Sequence, residues 1–151
     1  MPLAAACNPN VIEMLYVAPE SVLDQSLTGG LLWLNRHLFL SQRARKALTG
    51  YALNSKDRYR LKNNEGKALM HYIRSLRVCL ELFLTGELNI LRQDREELLA
   101  IRNGKISLEE VDKMGADLLE KIAATSTTLP PEPDYQKLEK LNKELIELYN
   151  E

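Results

Sequence analysis

One long segment of helical periodicity constrains the fold more than any other part of the chain. Between Glu65 and Thr85, apolar side chains recur at spacings of three and four and cover more than half of the helical circumference. This pattern is typical of an α-helix that packs against neighbours on several sides. We therefore expect a central core helix, ended at Thr85-Gly86. Its apolar positions are Leu69, Met70, Tyr72, Ile73, Leu76, Cys79, Leu80, Phe83 and Leu84.

Helical patterns and capping residues continue on both sides of this segment. Thr28-Gly29-Gly30 is interpreted as a break, and 88–91 as a short strand or a loop. Since no hairpin pattern appears, the prediction is an all-α fold of about six to seven helices. The further predicted helices cover residues 9–17, a single turn at 19–24, a short buried helix over 31–40, 42–62, 94–103, 107–124, and 134 onward.

The chain length and one proline-rich stretch predict the domain organisation. A chain of 151 residues suffices for one domain with a substantial core. We predict a helical domain over 1–124, a Pro-rich linker over 125–133, and a C-terminal amphipathic helix over 134–151.

The net charge of −1 conceals an uneven distribution of charge. From Arg43 to Arg77, ten Lys and Arg residues stand against two acidic residues, whereas nine stand against sixteen from Val78 onward. One interpretation is a local anion-binding surface. The other is that basic and acidic helices pack together and neutralise each other.

A basic stripe on the central helix is the strongest candidate site. Lys67, His71 and Arg74 lie at offsets of four and seven, which places them on one helical face, with Arg77 nearby. Lysine, imidazole and guanidinium together are suited to hold a phosphate. The alternative is a solvated basic face. Tyr51 is a candidate for stacking on a base or for the core, and the wider basic surface comprises Arg43, Arg45, Lys46, Arg58 and Arg60.

Other chemistry finds little support in the sequence. His37 and His71 are far apart, and no Cys-x-x-Cys, His-x-x-x-His or Gly-x-Ser-x-Gly motif occurs. We therefore predict no catalytic residues, no metal and no cofactor. Cys79 is expected to be a buried free thiol. No apolar run approaches the ~20 residues that span a bilayer, and the N-terminus is a poor signal peptide, so we expect a cytoplasmic protein without membrane association, in the host cytoplasm if it is encoded by a phage.

Several short motifs, taken in order, resemble the C-terminal helical half of predicted nucleotidyltransferases of the DNA polymerase β superfamily, which occur in bacteria and phages. The similarity covers roughly residues 5–120. It rests on Asn8–Leu15, Phe39–Ser41, Gly50–Ala52, Lys67–Arg74, Thr85–Leu88 and Arg92–Gly104.

The chain departs from this family in its metal-binding motifs. The family's catalytic half carries a Gly-Ser motif followed by an Asp-x-Asp pair that holds two metal ions, and this chain contains neither. The resemblance therefore implies a helical half that transfers no nucleotides by itself. It also implies that Lys67, His71 and Arg74, with Tyr51, help to hold the nucleotide or its acceptor.

Two functional hypotheses follow, from different classes. The first is a non-catalytic domain that binds a nucleotide or RNA through the basic surface and works with a separately encoded catalytic half. The second is a phage-type interaction protein that inhibits a host nucleic-acid-handling or defence complex, in the manner of an anti-CRISPR protein. A truncated, non-functional product is a third interpretation. In each case an apolar surface is left without its partner, and we expect a homodimer to cover it.

Overall fold

The all-α prediction is confirmed. The computed structural model describes residues 2–62 and 65–150, without the side chains of Pro2 and residues 60–62 and 65. These residues form eight α-helices and two short 3₁₀ helices, with no β-strand among them. Eight is close to the predicted number of six to seven.

The helices follow the predicted order along the chain. The 3₁₀ helices are Pro19–Ser21 and Arg36–Phe39. The α-helices are α1 (Pro2–Ala5), α2 (Pro9–Leu15), α3 (Leu27–Leu34), α4 (Arg43–Lys62), α5 (Glu65–Thr85), α6 (Arg95–Arg102), α7 (Leu108–Ala124) and α8 (Tyr135–Asn150).

The chain divides into two compact units. The first contains residues 1–44 and 129–151, and the second contains residues 45–128. The C-terminal helix α8 therefore belongs to the same unit as the N-terminal helices, where it packs against α3.

The core of the second unit is built around α5, as its periodicity predicts. Helix α5 packs against both α6 and α7. Its side chains Ile73, Leu76, Cys79 and Leu82 are completely buried. Burial raises the pKa of the Cys79 thiol to about 12, although the charge of Arg45 opposes the rise. The thiol is therefore protonated and inert at neutral pH, which confirms the predicted buried thiol.

Two glycines allow the neighbouring helices to approach α5 closely. A Cβ atom at Gly115 in α7 would overlap the phenol group of Tyr72, and a Cβ atom at Gly66 would overlap the carbonyl group of Arg102. No side chain fits at either position, so only glycine permits this packing. Tyr72 itself is buried.

Helix α4 runs along the same core. Arg45 lies 4.6 Å from the ring centroid of Phe83, and Lys56 lies 5.2 Å from that of Tyr72. The two pairs advance in opposite directions along the helices, so α4 and α5 are antiparallel. A Cβ atom at Gly50 would meet no neighbour within 4 Å, and α4 continues through this residue, so Gly50 marks neither a close contact nor a break.

The first unit differs from the sequence-based prediction at α3. Thr28-Gly29-Gly30 does not break the chain but lies inside the helix, whose N-cap Ser26 accepts a hydrogen bond from the Gly29 amide. A helix can include these glycines because a capping hydroxyl satisfies its first amides. Helix α3 has no buried residue, and the predicted single helix over 31–40 is instead α3 followed by a 3₁₀ helix.

The predicted caps in the second half of the chain are confirmed. Ser107 and Glu110 form a reciprocal capping box at the start of α7, and Asp134 accepts a hydrogen bond from the Lys137 amide at the start of α8. Gly104 has a φ of +69° after α6, the left-handed conformation that glycine adopts readily. Residues 88–91 form a loop, not a strand.

The proline-rich linker is packed against the first unit along residues 129–133. Leu129 and Pro133 are buried. The backbone amide of Gln42 donates to the Pro130 carbonyl at 2.9 Å, and its side chain donates to the Leu129 carbonyl at 3.0 Å. This stretch is therefore held in place just before α8 begins.

The two helical glycines Gly115 and Gly50 provide a matched stability test. Gly115→Ala should lower the free energy of unfolding by about 1–3 kcal/mol, because the buried Tyr72 ring has to move. Gly50→Ala should raise it by about 0.5–1 kcal/mol, because alanine favours the helix and meets no neighbour. Urea denaturation followed by circular dichroism measures both. Equal effects would contradict the proposed close packing.

Candidate functional site

The predicted stripe on α5 is present as one continuous face. Lys67 is exposed, whereas His71 and Arg74 are half-buried. Their spacing within an uninterrupted helix places the three side chains in a row. The polar ends of a half-buried arginine and histidine still reach solvent, so this face presents cationic and hydrogen-bonding groups to an anion.

Arg77, the fourth member of the predicted stripe, is engaged inside the unit. Its Nη1 atom lies 2.6 Å from Oδ2 of Asp94 and 2.7 Å from Oε2 of Glu97. The Arg77 side chain is only 19% exposed. Arg77 therefore fastens α5 to α6, and its charge is already balanced by two carboxylates.

A second arginine extends this ion-pair network. Nε of Arg92 donates to Oδ1 of Asp94 at 2.9 Å, and its Nη1 pairs with Glu81. Burial raises the pKa of the Asp94 carboxyl, but hydrogen bonds and charges from Arg92 and Arg77 outweigh it and leave that pKa below its ordinary value. Asp94 is thus ionised between two arginines.

The sequence did not reveal this network, although it contained a signal for it. Asp94 was expected to contribute as a carboxylate at the start of a helix, and it does stand at the N-cap position of α6. Its side chain makes no capping hydrogen bond there. Arg77 and Glu81 lie one turn apart on α5, and Arg92 and Asp94 are their opposite charges in the following loop, a complementarity that indicates pairing.

The wider basic surface divides into engaged and exposed residues. Arg43 pairs with Glu132, and Arg45 donates to the Thr125 carbonyl at 2.7 Å while it stacks on Phe83. Lys46 and Arg58 are exposed. The side chain of Arg60 lies outside the described residues.

The remaining candidate residues have structural surroundings. Tyr51 is half-buried on α4. Lys56 pairs with Asp112, at 2.7 Å between Nζ and Oδ1. The interpretation that basic and acidic helices neutralise each other therefore holds for Lys56 and Arg77. Among the described residues, no group of three His, Cys, Asp or Glu side chains is arranged to hold a metal ion.

Comparisons with protein-family models, curated proteins and solved structures find no match for this chain. Within the part of the chain that the structure describes, no helix combines the length and the apolar character needed to cross a membrane.

The ion-pair network predicts a pH dependence of stability. Because the pKa of Asp94 is lower in the folded than in the unfolded state, its contribution is present above pH ~4 and is lost as the pH falls below that value. Asp94→Asn should destabilise the protein by about 1–2 kcal/mol at pH 7, since it weakens two partly buried ion pairs. It should also flatten the loss of stability between pH ~5 and ~3.

The control for this measurement is Asp117→Asn. Asp117 is exposed and lies 3.6 Å from Lys121, a type of pair that contributes about 0–1 kcal/mol. Urea midpoints across the pH range compare the variants. An Asp94→Asn profile parallel to that of the wild type would contradict the role of Asp94.

Proposed function

We propose that this chain is a non-catalytic helical domain that binds the phosphate of a nucleotide or RNA on the α5 face formed by Lys67, His71 and Arg74. The observation that carries the proposal is the division of the basic residues into two sets. Arg43, Arg45, Lys56 and Arg77 serve internal contacts. The α5 face keeps an exposed lysine beside two half-buried basic side chains.

The chemistry of the three side chains supports a phosphate as the ligand. A guanidinium group donates two parallel hydrogen bonds to phosphate oxygens. Lysine adds a mobile point charge on the exposed side, and an imidazole adds a further donor when it is protonated. The exposed Lys46 and Arg58 on α4 supply additional positive charge, as a polynucleotide would require.

The relationship to the nucleotidyltransferase superfamily is part of this proposal. The chain would supply the ligand-holding half, and a separately encoded protein would supply the Gly-Ser and Asp-x-Asp motifs. It is then no enzyme by itself. A cytoplasmic location, where nucleotides and RNA are found, belongs to the same proposal.

A second candidate function is a protein-interaction module, including the inhibitor of a host complex and the homodimer. It is favoured by an apolar groove in the first unit between α3 and α8, lined by Leu32, Leu145, Ile146 and Tyr149. Ile146 and Tyr149 are exposed. This function ranks second because apolar lining does not select a partner, whereas a row of basic side chains selects anions.

The proposed function is tested by removing two charges from the α5 face. Lys67→Ala combined with Arg74→Ala should weaken the binding of ATP and of short single-stranded RNA at least roughly tenfold, since each phosphate contact is charge-assisted. For RNA, the salt dependence should also fall, by about one unit of logarithmic slope per lost phosphate contact. Calorimetry and fluorescence anisotropy measure the two ligands.

The matched control removes the same charge elsewhere in the second unit. Lys113 and Arg95 are exposed on α7 and α6, so Lys113→Ala with Arg95→Ala should leave binding within about twofold of the wild type. Circular dichroism verifies that both double variants stay helical. No binding by the wild type, or equal loss in both double variants, would refute the α5 site.

A further inference from the structure

The first unit contains a cavity beside Trp33 that the proposed α5 site does not use. Its volume is about 300 Å³, at the lower end of the range for small-molecule sites. The lining combines one aromatic ring, three apolar side chains, one carboxylate and one amide. These residues are Trp33, Pro19, Val22, Leu23, Asp24 and Gln25.

The ring of Trp33 is held in a fixed position by Arg36. The Cζ atom of Arg36 lies 3.9 Å from the Trp33 ring centroid and 5.1 Å from that of Tyr16. Its Nη1 atom also donates to the Trp33 carbonyl at 2.7 Å. Arg36 is not part of the cavity lining, so it supports the ring from outside the cavity.

This support determines which ligand suits the ring. A cation gains from the negative face of an aromatic ring, but the Arg36 guanidinium already draws on the electrons of Trp33. A second cation on the same ring therefore gains less. A neutral planar heterocycle, in contrast, stacks on a preorganised indole without a charge conflict.

The polar edge of the cavity narrows the choice among planar ligands. The 3₁₀ turn that carries Pro19 is held by hydrogen bonds from Ser21 to Ala18 and from Val22 to Pro19, at 2.8 and 3.1 Å. Asp24 follows shortly after this turn. An ionised carboxylate accepts hydrogen bonds with both oxygens and donates none.

Gln25 stands beside the carboxylate, against the first turn of α3. A Cβ atom at Gly29 would lie 3.6 Å from Cγ of Gln25, so the glycine leaves room for the glutamine side chain. The amide of Gln25 offers N–H donors next to the acceptor-only carboxylate. The cavity edge therefore presents acceptors and donors side by side.

Guanine is the common nucleobase whose edge matches this pattern. It places two donors, N1–H and the N2 amino group, side by side, with the O6 acceptor next to them. Adenine sets its N1 acceptor beside a single amino group, and cytosine sets N3 beside its amino group. In both, an acceptor would face a carboxylate oxygen and repel it.

We propose that this cavity binds guanine, with the base stacked on Trp33, its N1–H and N2 amino groups donating to Asp24, and O6 accepting from Gln25. The site recognises the base and needs no phosphate. It is a different surface from the α5 face and does not depend on the proposed function.

The chain carries its own reporter for this test. Trp33 is its single tryptophan, so a base stacked on it should quench the tryptophan emission. Titration of the full chain with guanosine should give saturable quenching, and adenosine and cytidine should bind at least roughly tenfold more weakly, because each leaves a carboxylate contact unmade. The Lys67→Ala, Arg74→Ala variant should bind guanosine like the wild type, which separates this site from the α5 face.

Two carboxylate variants complete the test. Asp24→Asn should weaken guanosine binding roughly tenfold, because an amide offers only one acceptor oxygen. Glu20→Gln removes an exposed carboxylate outside the lining and should leave binding unchanged. Absence of saturable quenching, equal quenching by the three nucleosides, or guanosine binding that is insensitive to Asp24→Asn would each overturn the proposal.

Discussion

The contact between Tyr72 and Gly115 is the constraint on which the second unit depends. A buried tyrosine ring stands against the α7 backbone, where any side chain beyond hydrogen would collide with it. The same device recurs at Gly66, which meets the carbonyl oxygen of Arg102. These two contacts allow α6 and α7 to lie close to α5, and the close packing buries the long apolar side chains of α5 that drive folding.

This packing also determines what the basic residues can do. Once α6 lies against α5, Arg77 meets Asp94 and Glu97, and once α7 lies beside α4, Lys56 meets Asp112. Charges buried at such contacts require partners, because an unpaired buried charge is costly. The anion-binding capacity that we assign to the outer face of α5 lies beyond these internal pairs, and this division gives the proposed phosphate site its boundaries.

The elements predicted correctly are those whose signals are local. The α5 pattern, the capping box at Ser107, the Asp134 cap and the glycine after α6 each act within a few residues, so the sequence displays them directly. The prediction at α3 was wrong because two glycines outweighed a capping serine in the interpretation. The α5 face follows from spacing alone, whereas the engagement of Arg77 depends on a residue 17 positions away.

The sequence by itself determined an all-α protein, the position of its central helix, and a face bearing Lys67, His71 and Arg74, because helical periodicity and capping are short-range properties. Only the tertiary structure decided which cations serve internal ion pairs, since pairing depends on which helices become neighbours. It alone also placed α8 with the N-terminal helices and set Trp33, Arg36 and the 19–25 segment around one cavity. Contacts between distant residues follow from packing, and no local pattern encodes them.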